Sequence, residues 1–369
     1  MVFGKSKEEQ LIQAVEEKDT IKVTELIKKG AKINYRRQDG QVSPLDCAVI
    51  GGDVELVNLL LNNGADVNSQ TRNGYTALST ALANGLPGIE IIDSLIRHGA
   101  DVNAKSFVEQ WTPLLIASNK VPLNEPAIRR LVEAGAQING HNVFGETPLM
   151  YAAAFASDGL VEYLLKNGAD PKLTNKEGLS AIHFAAKSTG ELYLHALEGS
   201  IEQTAKTAGA GVTFHKEGMQ VFADDFSKKN SLVRPKVIKL LLEYGADINA
   251  TTVSGLTPLK CALLVDNFEM ANVIIQYGAD INYGDETALM TAVWHNRIDI
   301  VDFLIKKGAD VNHKKTTGEN ALEWAVFNGN EDIAKLLLNA GAKKDFSKAF
   351  LELTSGNEAI ALILKRLGL

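Results

Sequence analysis

"TPLMYAAAFASDGLVEYLLKNGADPK", the stretch from Thr147 to Lys172, contains the pattern on which the fold depends. Thr147 is a residue type that caps helix N-termini, and the proline after it suits the first helical position, where a missing N–H costs nothing. A second apolar run, LVEYLLKNG, ends at Gly168, a residue type that readily adopts the left-handed conformation common at helix C-termini. The stretch therefore predicts two short helices followed by an extended loop.

Both halves of this stretch recur along the chain. The phrase around the glycine appears nine times, with successive glycines 34, 35, 36, 33, 77, 33, 30 and 33 residues apart. These glycines are Gly30, Gly64, Gly99, Gly135, Gly168, Gly245, Gly278, Gly308 and Gly341. The phrase that opens with the cap residue keeps the same spacing, from SPLDCA at Ser43 to NALEWA at Asn320. One such unit cannot bury its apolar face alone, so we expect the copies to stack on one another.

The repeat resembles the ankyrin repeat, whose signature is a period of about 33 residues with the phrase T-P-L-H-x-A. The resemblance covers about 320 of the 369 residues. It implies an all-α solenoid of stacked helix-turn-helix units with extended loops. The signature histidine is kept only at His183, and we expect altered hydrogen bonds in the copies that have another residue there, namely Asp46, Ser79, Leu115, Met150, Lys260, Met290 and Glu323.

We expect a single solenoid over residues 1–369, with about ten repeats. Residues 1–35 form a predicted N-terminal capping repeat, because this helix pair lacks the cap phrase and has charged residues among its apolar ones. Residues 36–345 are the central repeats, and residues 346–369 are the predicted C-terminal capping helices.

The interval of 77 residues between Gly168 and Gly245 exceeds one period by 44 residues. The extra residues fall between the two helices of one repeat, at 188–234. Their pattern predicts a helical element followed by a β-hairpin. We prefer a small ordered subdomain that contributes to recognition. A tolerated passenger loop and a catalytic or membrane-binding insert are the alternatives.

The composition and charge exclude several function classes. The chain is 45% hydrophobic and 22% charged, and its net charge of −7 with no basic stripe argues against nucleic-acid binding. The two cysteines, Cys47 and Cys261, stand where the repeat needs small buried residues, so we interpret them as structural thiols. No signal peptide or membrane-spanning run is recognised, and we expect a cytoplasmic protein without membrane contact.

No catalytic or metal-ligating constellation stands out in the sequence. The seven histidines are scattered over different repeats, and no Walker-type lysine follows the glycines. We therefore expect no enzymatic activity, no cofactor and no metal.

The resemblance implies a concave groove, formed by the first helices and the loop tips, that binds another protein. Positions just before the cap residue and just after the helix alanines are expected to line it, namely Tyr75, Trp111, Lys120, Phe144, Glu146, Phe155, Trp294, His295, Phe327 and Asn328. We expect Trp111 and Trp294 to be exposed hot spots and Trp324 to pack within the stack. The insertion offers a second candidate surface at Tyr193, His195, Phe214, His215, Met219 and Phe222.

The predicted function is therefore a non-catalytic protein–protein interaction module. Two alternatives belong to other classes: an inhibitor or immunity-type protein that neutralises a partner enzyme or toxin, and a self-associating structural scaffold. We expect a monomer rather than a homo-oligomer. The identity of the partner does not follow from the sequence.

Overall fold

The computed structural model describes residues 5–37, 42–84, 88–119, 124–155, 158–187 and 234–368. Within these ranges the regular structure is helical, and β pairing is limited to isolated bridges such as the one between Lys314 and Asn320. The predicted all-α fold is therefore confirmed. The predicted helix–hairpin insertion at 188–234 lies outside the described residues except for Arg234.

The chain divides into two compact units, and the prediction of one continuous solenoid stays a prediction. The first unit comprises the described residues up to Lys176 together with 243–245. Its helices form antiparallel pairs, and the first helix of each pair packs against the first helix of the next. They are α1 Lys7–Glu16, α2 Thr20–Lys28, α3 Pro44–Ile50, α4 Val54–Asn62, α5 Ala77–Asn84, α6 Ile89–Arg97, α7 Pro113–Ser118, α8 Glu125–Glu133, α9 Pro148–Phe155 and α10 Asp158–Lys166.

The second unit comprises residues 177–187, 234–242 and 246–368. Its first helices from Ala181–Ala186 to Ala321–Phe327 also pack in succession, and the last of these contacts the C-terminal helix Glu358–Leu367. The helices are α11 Ala181–Ala186, α12 Pro235–Glu243, α13 Pro258–Leu264, α14 Phe268–Gln276, α15 Ala288–Trp294, α16 Ile298–Lys306, α17 Ala321–Phe327, α18 Glu331–Asn339, α19 Lys348–Thr354 and α20 Glu358–Leu367.

Each first helix begins where the cap phrase predicts. The Thr112 side chain accepts a hydrogen bond from the N–H of Leu115, and Pro113 occupies the first helical turn of α7. Such a cap satisfies one of the free N–H groups at the helix start and is worth about 1 kcal/mol. At the other end of the pair, Gly168 follows α10 with φ of +93°, a conformation that a side chain would strain. The local sequence thus sets the helix boundaries.

Asparagines at the ends of the glycine phrases connect successive repeats. In the first unit, Asn103 Nδ2 donates to the carbonyl of Gly135 at 3.2 Å, and its Oδ1 accepts from the N–H of Gln137 at 2.8 Å. The same pattern recurs at Asn68 in the first unit and Asn312 in the second. Each of these side chains therefore binds the backbone of the following repeat.

The side chain at the signature-histidine position also connects one repeat to the next. His183 is fully buried, and its Nε2–H donates to the carbonyl of Ala250 at 3.0 Å in the next repeat. Glu323 occupies the same position in a later repeat, is 1% exposed and accepts hydrogen bonds from the N–H and Oγ–H of Ser347. A polar residue at this position thus bonds a different group in each repeat, in line with the expected alteration.

Candidate partner-binding site

Three aromatic side chains meet on the second unit and are referred to here as the aromatic patch: Trp294, Trp324 and Phe327. Trp294 and Phe327 are the last residues of α15 and α17 and are 52% and 51% exposed. Trp324 lies one turn before Phe327, so both project from one side of α17, and it is half-buried. The rings of Trp294 and Trp324 contact each other with centroids 5.5 Å apart. The patch therefore joins two adjacent repeats.

The caps and a backbone contact fix the patch in place. The Thr287 and Asn320 side chains accept hydrogen bonds from the first turns of α15 and α17 and hold the start of each helix. At the far end, Asn328 Nδ2 donates to the carbonyl of Trp294 at 3.3 Å. The helices that carry the exposed rings are thus held in position by hydrogen bonds at both ends.

A cavity of about 330 Å³ opens beside the aromatic patch. Its apolar wall consists of the three patch residues and Phe350 from α19. Its polar lining consists of three glutamates, Glu286, Glu319 and Glu323. The cavity therefore combines aromatic rings with carboxylates, and none of its described lining residues is basic.

The three glutamates differ in how they are held. Glu286 Oε1 accepts from the Thr291 hydroxyl at 3.1 Å, and Glu319 lies 3.9 Å from the ammonium of Lys315. Burial raises the pKa of the Glu323 carboxyl above its ordinary value, although the donors of Ser347 oppose this effect. Glu286 and Glu319 each stand directly before a helix cap, one period of 33 residues apart.

Two lysines lie close to this cavity without lining it. The Lys315 ammonium lies over the Trp324 ring, 5.1 Å from its centroid. Lys260 Nζ donates to the backbone carbonyl of Glu286, and burial lowers the pKa of this ammonium. The side-chain carboxylates of the cavity outnumber these cations.

In the first unit, the expected exposure of Trp111 and Tyr75 is wrong: the two side chains are 7% and 8% exposed. Trp111 packs against the ring of Tyr151 in the next repeat, with centroids 5.9 Å apart, and its Nε1–H donates to Glu109. A neighbouring ring therefore covers the position that the repeat pattern assigns to the surface.

Glu146 and Phe144 illustrate two outcomes for neighbouring predicted residues. Glu146 is half-buried and accepts hydrogen bonds from the Tyr151 hydroxyl and from Asn142 Nδ2, the latter at 2.8 Å. This contact holds the loop to α9. Phe144, at the tip of the same loop, is 51% exposed.

The remaining predicted residues vary in their placement. His295 is exposed directly after α15, Asn328 is half-buried beside the aromatic patch, and Phe155 is half-buried at the end of α9. Lys120 lies outside the described residues, as do the six insertion residues Tyr193, His195, Phe214, His215, Met219 and Phe222. The binding role of all these residues stays a prediction.

The glutamates of the cavity were missed among the predicted residues, although a signal for two of them existed. Glu286 and Glu319 occupy the position before the cap, the same position as Tyr75, Trp111 and Glu146. Glu323 gave no such signal, because its position within the cap phrase is usually structural.

The described residues contain no cluster of three or more histidine, cysteine, aspartate or glutamate side chains placed to hold a metal ion. Both cysteines are free, and burial raises the pKa of Cys47 to about 12 and that of Cys261 to about 11. These thiols therefore stay protonated at neutral pH and are poor nucleophiles. Among the described helices, none combines the length and the apolar character that crossing a bilayer requires.

A family model described as ankyrin repeats in three copies matches residues 11–106, 88–175, 229–315 and 285–348, more than half of the chain. The chain belongs to the ankyrin repeat family. Ankyrin repeats generally serve as protein–protein interaction modules, and the ankyrin fold is generally non-enzymatic. The exposed aromatic patch is thus on a fold whose usual role is to bind proteins.

Individual relatives match this ankyrin repeat protein over part of their length. The B-cell lymphoma 3 protein homolog of Mus musculus is 27% identical over 227 residues, 57% of this chain and 47% of that protein. The putative ankyrin repeat protein FPV031 of fowlpox virus is 28% identical over 234 residues, which cover 60% of this chain and 60% of that protein. This chain thus spans about half of the length of the curated relatives it matches.

A solved structure agrees with the fold. The crystal structure of the human ASB11 ankyrin repeat domain superposes with a TM-score of 0.53 and 21% identity, covering 73% of this chain and 98% of that one. At this identity the likeness shows the shared fold.

Proposed function

We propose that this ankyrin repeat protein is a non-catalytic recognition module that binds another protein through the aromatic patch. The observation that supports this most directly is the exposure of Trp294 and Phe327, at 52% and 51%, beside a cavity with an aromatic wall. Large aromatic side chains that remain exposed next to one another are costly in water, and such patches commonly mark interaction sites.

The energetics of the patch suit binding. Tryptophan and other large anchors that become buried at the centre of an interface dominate binding energies, often at about 2 kcal/mol or more each. The rings of the patch are held by helix caps and by the Asn328 hydrogen bond. Little conformational entropy is therefore lost when a partner covers them.

Photo-crosslinking tests this surface directly. A photoreactive amino acid at His295, next to Trp294, is expected to crosslink the partner in extract of the native host. The same amino acid at Glu269, an exposed position on α14, is the matched control and should not. The crosslinked protein is then produced in pure form, and its affinity for this chain is measured by calorimetry.

The calorimetry compares wild type with Trp294→Ala, Phe327→Ala and the control Tyr277→Ala, another exposed aromatic of the same unit. Each patch variant is expected to weaken binding about 30-fold, and the control should bind as wild type. Wild-type affinity in both patch variants, with circular dichroism showing intact folding, would contradict the proposal.

The same experiment separates the two alternatives. A crosslink between two copies of this chain would support the self-associating scaffold and contradict the monomer prediction. A partner that is an enzyme, and that loses its activity at equimolar amounts of this chain, would support the inhibitor or immunity-type role.

A further inference from the structure

We infer that the cavity beside the aromatic patch receives the side chain of a lysine of the partner protein. This inference rests on the proposed function and adds the chemistry of the group recognised. It is based on the contrast between the two parts of the cavity lining, which are aromatic rings and carboxylates.

The aromatic wall suits a cation carried on an alkyl stem. An ammonium within about 6 Å of a ring centroid is attracted by the negative face of the ring, and tryptophan is the most effective ring type. The methylenes of a lysine stem would pack against Trp294 and Phe327, the two exposed rings among the lining residues. A lysine thus satisfies both the apolar and the electrostatic features of this wall.

The carboxylates provide the charge complement. Glu286 and Glu319 line the cavity with half-buried carboxylates, and Glu323 lines it as a 1% exposed carboxyl that already accepts from Ser347. No described basic residue is among the lining residues. Two described lysines near the cavity already have partners: Lys315 is 3.9 Å from Glu319, and Lys260 bonds the backbone of Glu286. An incoming ammonium therefore meets an excess of negative side chains, while an aspartate or glutamate would be repelled.

The chain's own Lys315 shows that an ammonium is compatible with these groups. Its Nζ lies 5.1 Å from the Trp324 centroid and also near Glu319, so it already uses one ring and one carboxylate of the cavity. In the proposed complex, the ammonium of the partner's lysine interacts with the same ring and the same carboxylate. Lys315 then competes with the partner's lysine for these groups, and removing the Lys315 ammonium should strengthen binding of that lysine.

The cavity volume is appropriate for one side chain. At about 330 Å³ it is at the lower end of the range of about 300–1,000 Å³ typical of small-ligand pockets. Because the cavity opens at the exposed patch, the peptide backbone that carries the lysine would cross Trp294 and Phe327. The recognised element is therefore a lysine with apolar neighbours on the partner surface.

Fluorine NMR of the protein labelled with 5-fluorotryptophan tests this assignment on the full chain. There are three tryptophans, and each signal is assigned with a Trp→Phe variant. The probe is N-acetyl-lysine methylamide at constant ionic strength. The signals of Trp294 and Trp324 are expected to shift saturably, while that of the buried Trp111 should stay unchanged and serve as an internal control.

Two comparison ligands decide the chemistry. The norleucine analogue has the same stem without the charge, and it is expected to bind about fivefold more weakly or worse. The arginine analogue tests the other natural cation. Equal shifts with norleucine, stronger binding of arginine than of lysine, or no saturable shift with lysine would each overturn the inference.

Variants of charged residues provide the second measurement. Glu319→Gln is expected to weaken lysine binding about fivefold, whereas the exposed control Glu269→Gln should have no effect. Lys315→Met is expected to strengthen it, because a competing ammonium is removed. Unchanged affinity in both Glu319→Gln and Lys315→Met would contradict a cation site.

The failure of this inference is distinguishable from the failure of the proposed function. If Trp294→Ala abolishes binding of the whole partner but the lysine probe does not shift the tryptophan signals, the recognition surface stands and its lysine specificity is wrong. If Trp294→Ala leaves partner binding intact, the proposed function itself is contradicted.

Discussion

The indole rings of Trp294 and Trp324 contact each other edge to face, with centroids 5.5 Å apart and planes inclined at 66°. This geometry places the positive edge of one ring against the negative face of the other and is worth about 0.5–1.5 kcal/mol beyond the buried area. The two rings belong to adjacent repeats, so the contact contributes to the stability of the second unit as well as to its surface.

The two members of this pair should differ in their effect on stability. Trp324→Ala is expected to lower the free energy of unfolding by about 2 kcal/mol, because a half-buried ring loses contacts on both sides. Trp294→Ala should cost about 1 kcal/mol, since half of its ring is already exposed. Urea denaturation followed by circular dichroism measures both, and a larger loss for Trp294→Ala would contradict the assigned burial.

Trp111 is expected to act on stability rather than on binding. Trp111→Ala removes a buried ring from its contact with Tyr151 and leaves a cavity, at a cost of about 3–5 kcal/mol. The control Phe144→Ala removes an exposed ring of the same unit and should change stability by about 0.5 kcal/mol at most. Equal, small losses in the two variants under urea denaturation would show that Trp111 is not part of the core.

His183 should make stability fall as the solution becomes acidic. Burial lowers its pKa below the ordinary value, and the N–H of Ser180 donates to Nδ1, so the folded state holds the neutral ring. The unfolded chain takes up a proton near pH 6.5 and the folded chain only at lower pH. Stability present above pH 6.5 is therefore lost progressively as the pH falls below it.

Urea denaturation at several pH values between 7.5 and 5.5 measures this effect. The difference in stability between wild type and His183→Asn should shrink as the pH falls, because the variant lacks the titrating ring. Replacement of His295, an exposed histidine, by glutamine is the control for loss of a histidine outside the core. A pH-independent difference between wild type and His183→Asn would contradict the assigned burial of the ring.

Asn103 tests the connections between repeats. Asn103→Ala removes the bonds to Gly135 and Gln137 and should cost about 1–2 kcal/mol. Asn103→Asp keeps the acceptor for the Gln137 N–H but loses the donor to the Gly135 carbonyl. The aspartate variant should therefore weaken the contact at Gly135 and preserve the one at Gln137. Hydrogen exchange of the Gln137 amide is expected to accelerate in the alanine variant and much less in the aspartate variant.

The sequence predicts the helix boundaries well because they depend on local chemistry. Caps such as Thr112 and glycines such as Gly168 have the predicted roles, since a cap bond or a left-handed residue acts within one helical turn. The repeat spacing then indicates which elements pack together. Fold class and repeat register could therefore be predicted from the sequence alone.

The exposure of individual site residues was harder to predict from the sequence, because it depends on a side chain one repeat away. Tyr151 and Trp324 both stand four residues after their caps. Tyr151 covers Trp111 of the preceding repeat, whereas Trp324 contacts the last helical residue, Trp294, and leaves half of it in solvent. The repeat pattern specifies these positions but not which neighbouring ring fills the space between them.

The hydrogen bonds from the signature-histidine position have a consequence for protein engineering. Glu323 depends on Ser347 of the following repeat, and His183 depends on the backbone around Ala250. Either repeat, transplanted alone into another ankyrin array, would lose these native partners: the buried Glu323 carboxylate would lack its donor Ser347, and the buried His183 imidazole would lack its acceptor at Ala250. The repeats that contain Glu323 and His183 should therefore be moved together with their successors.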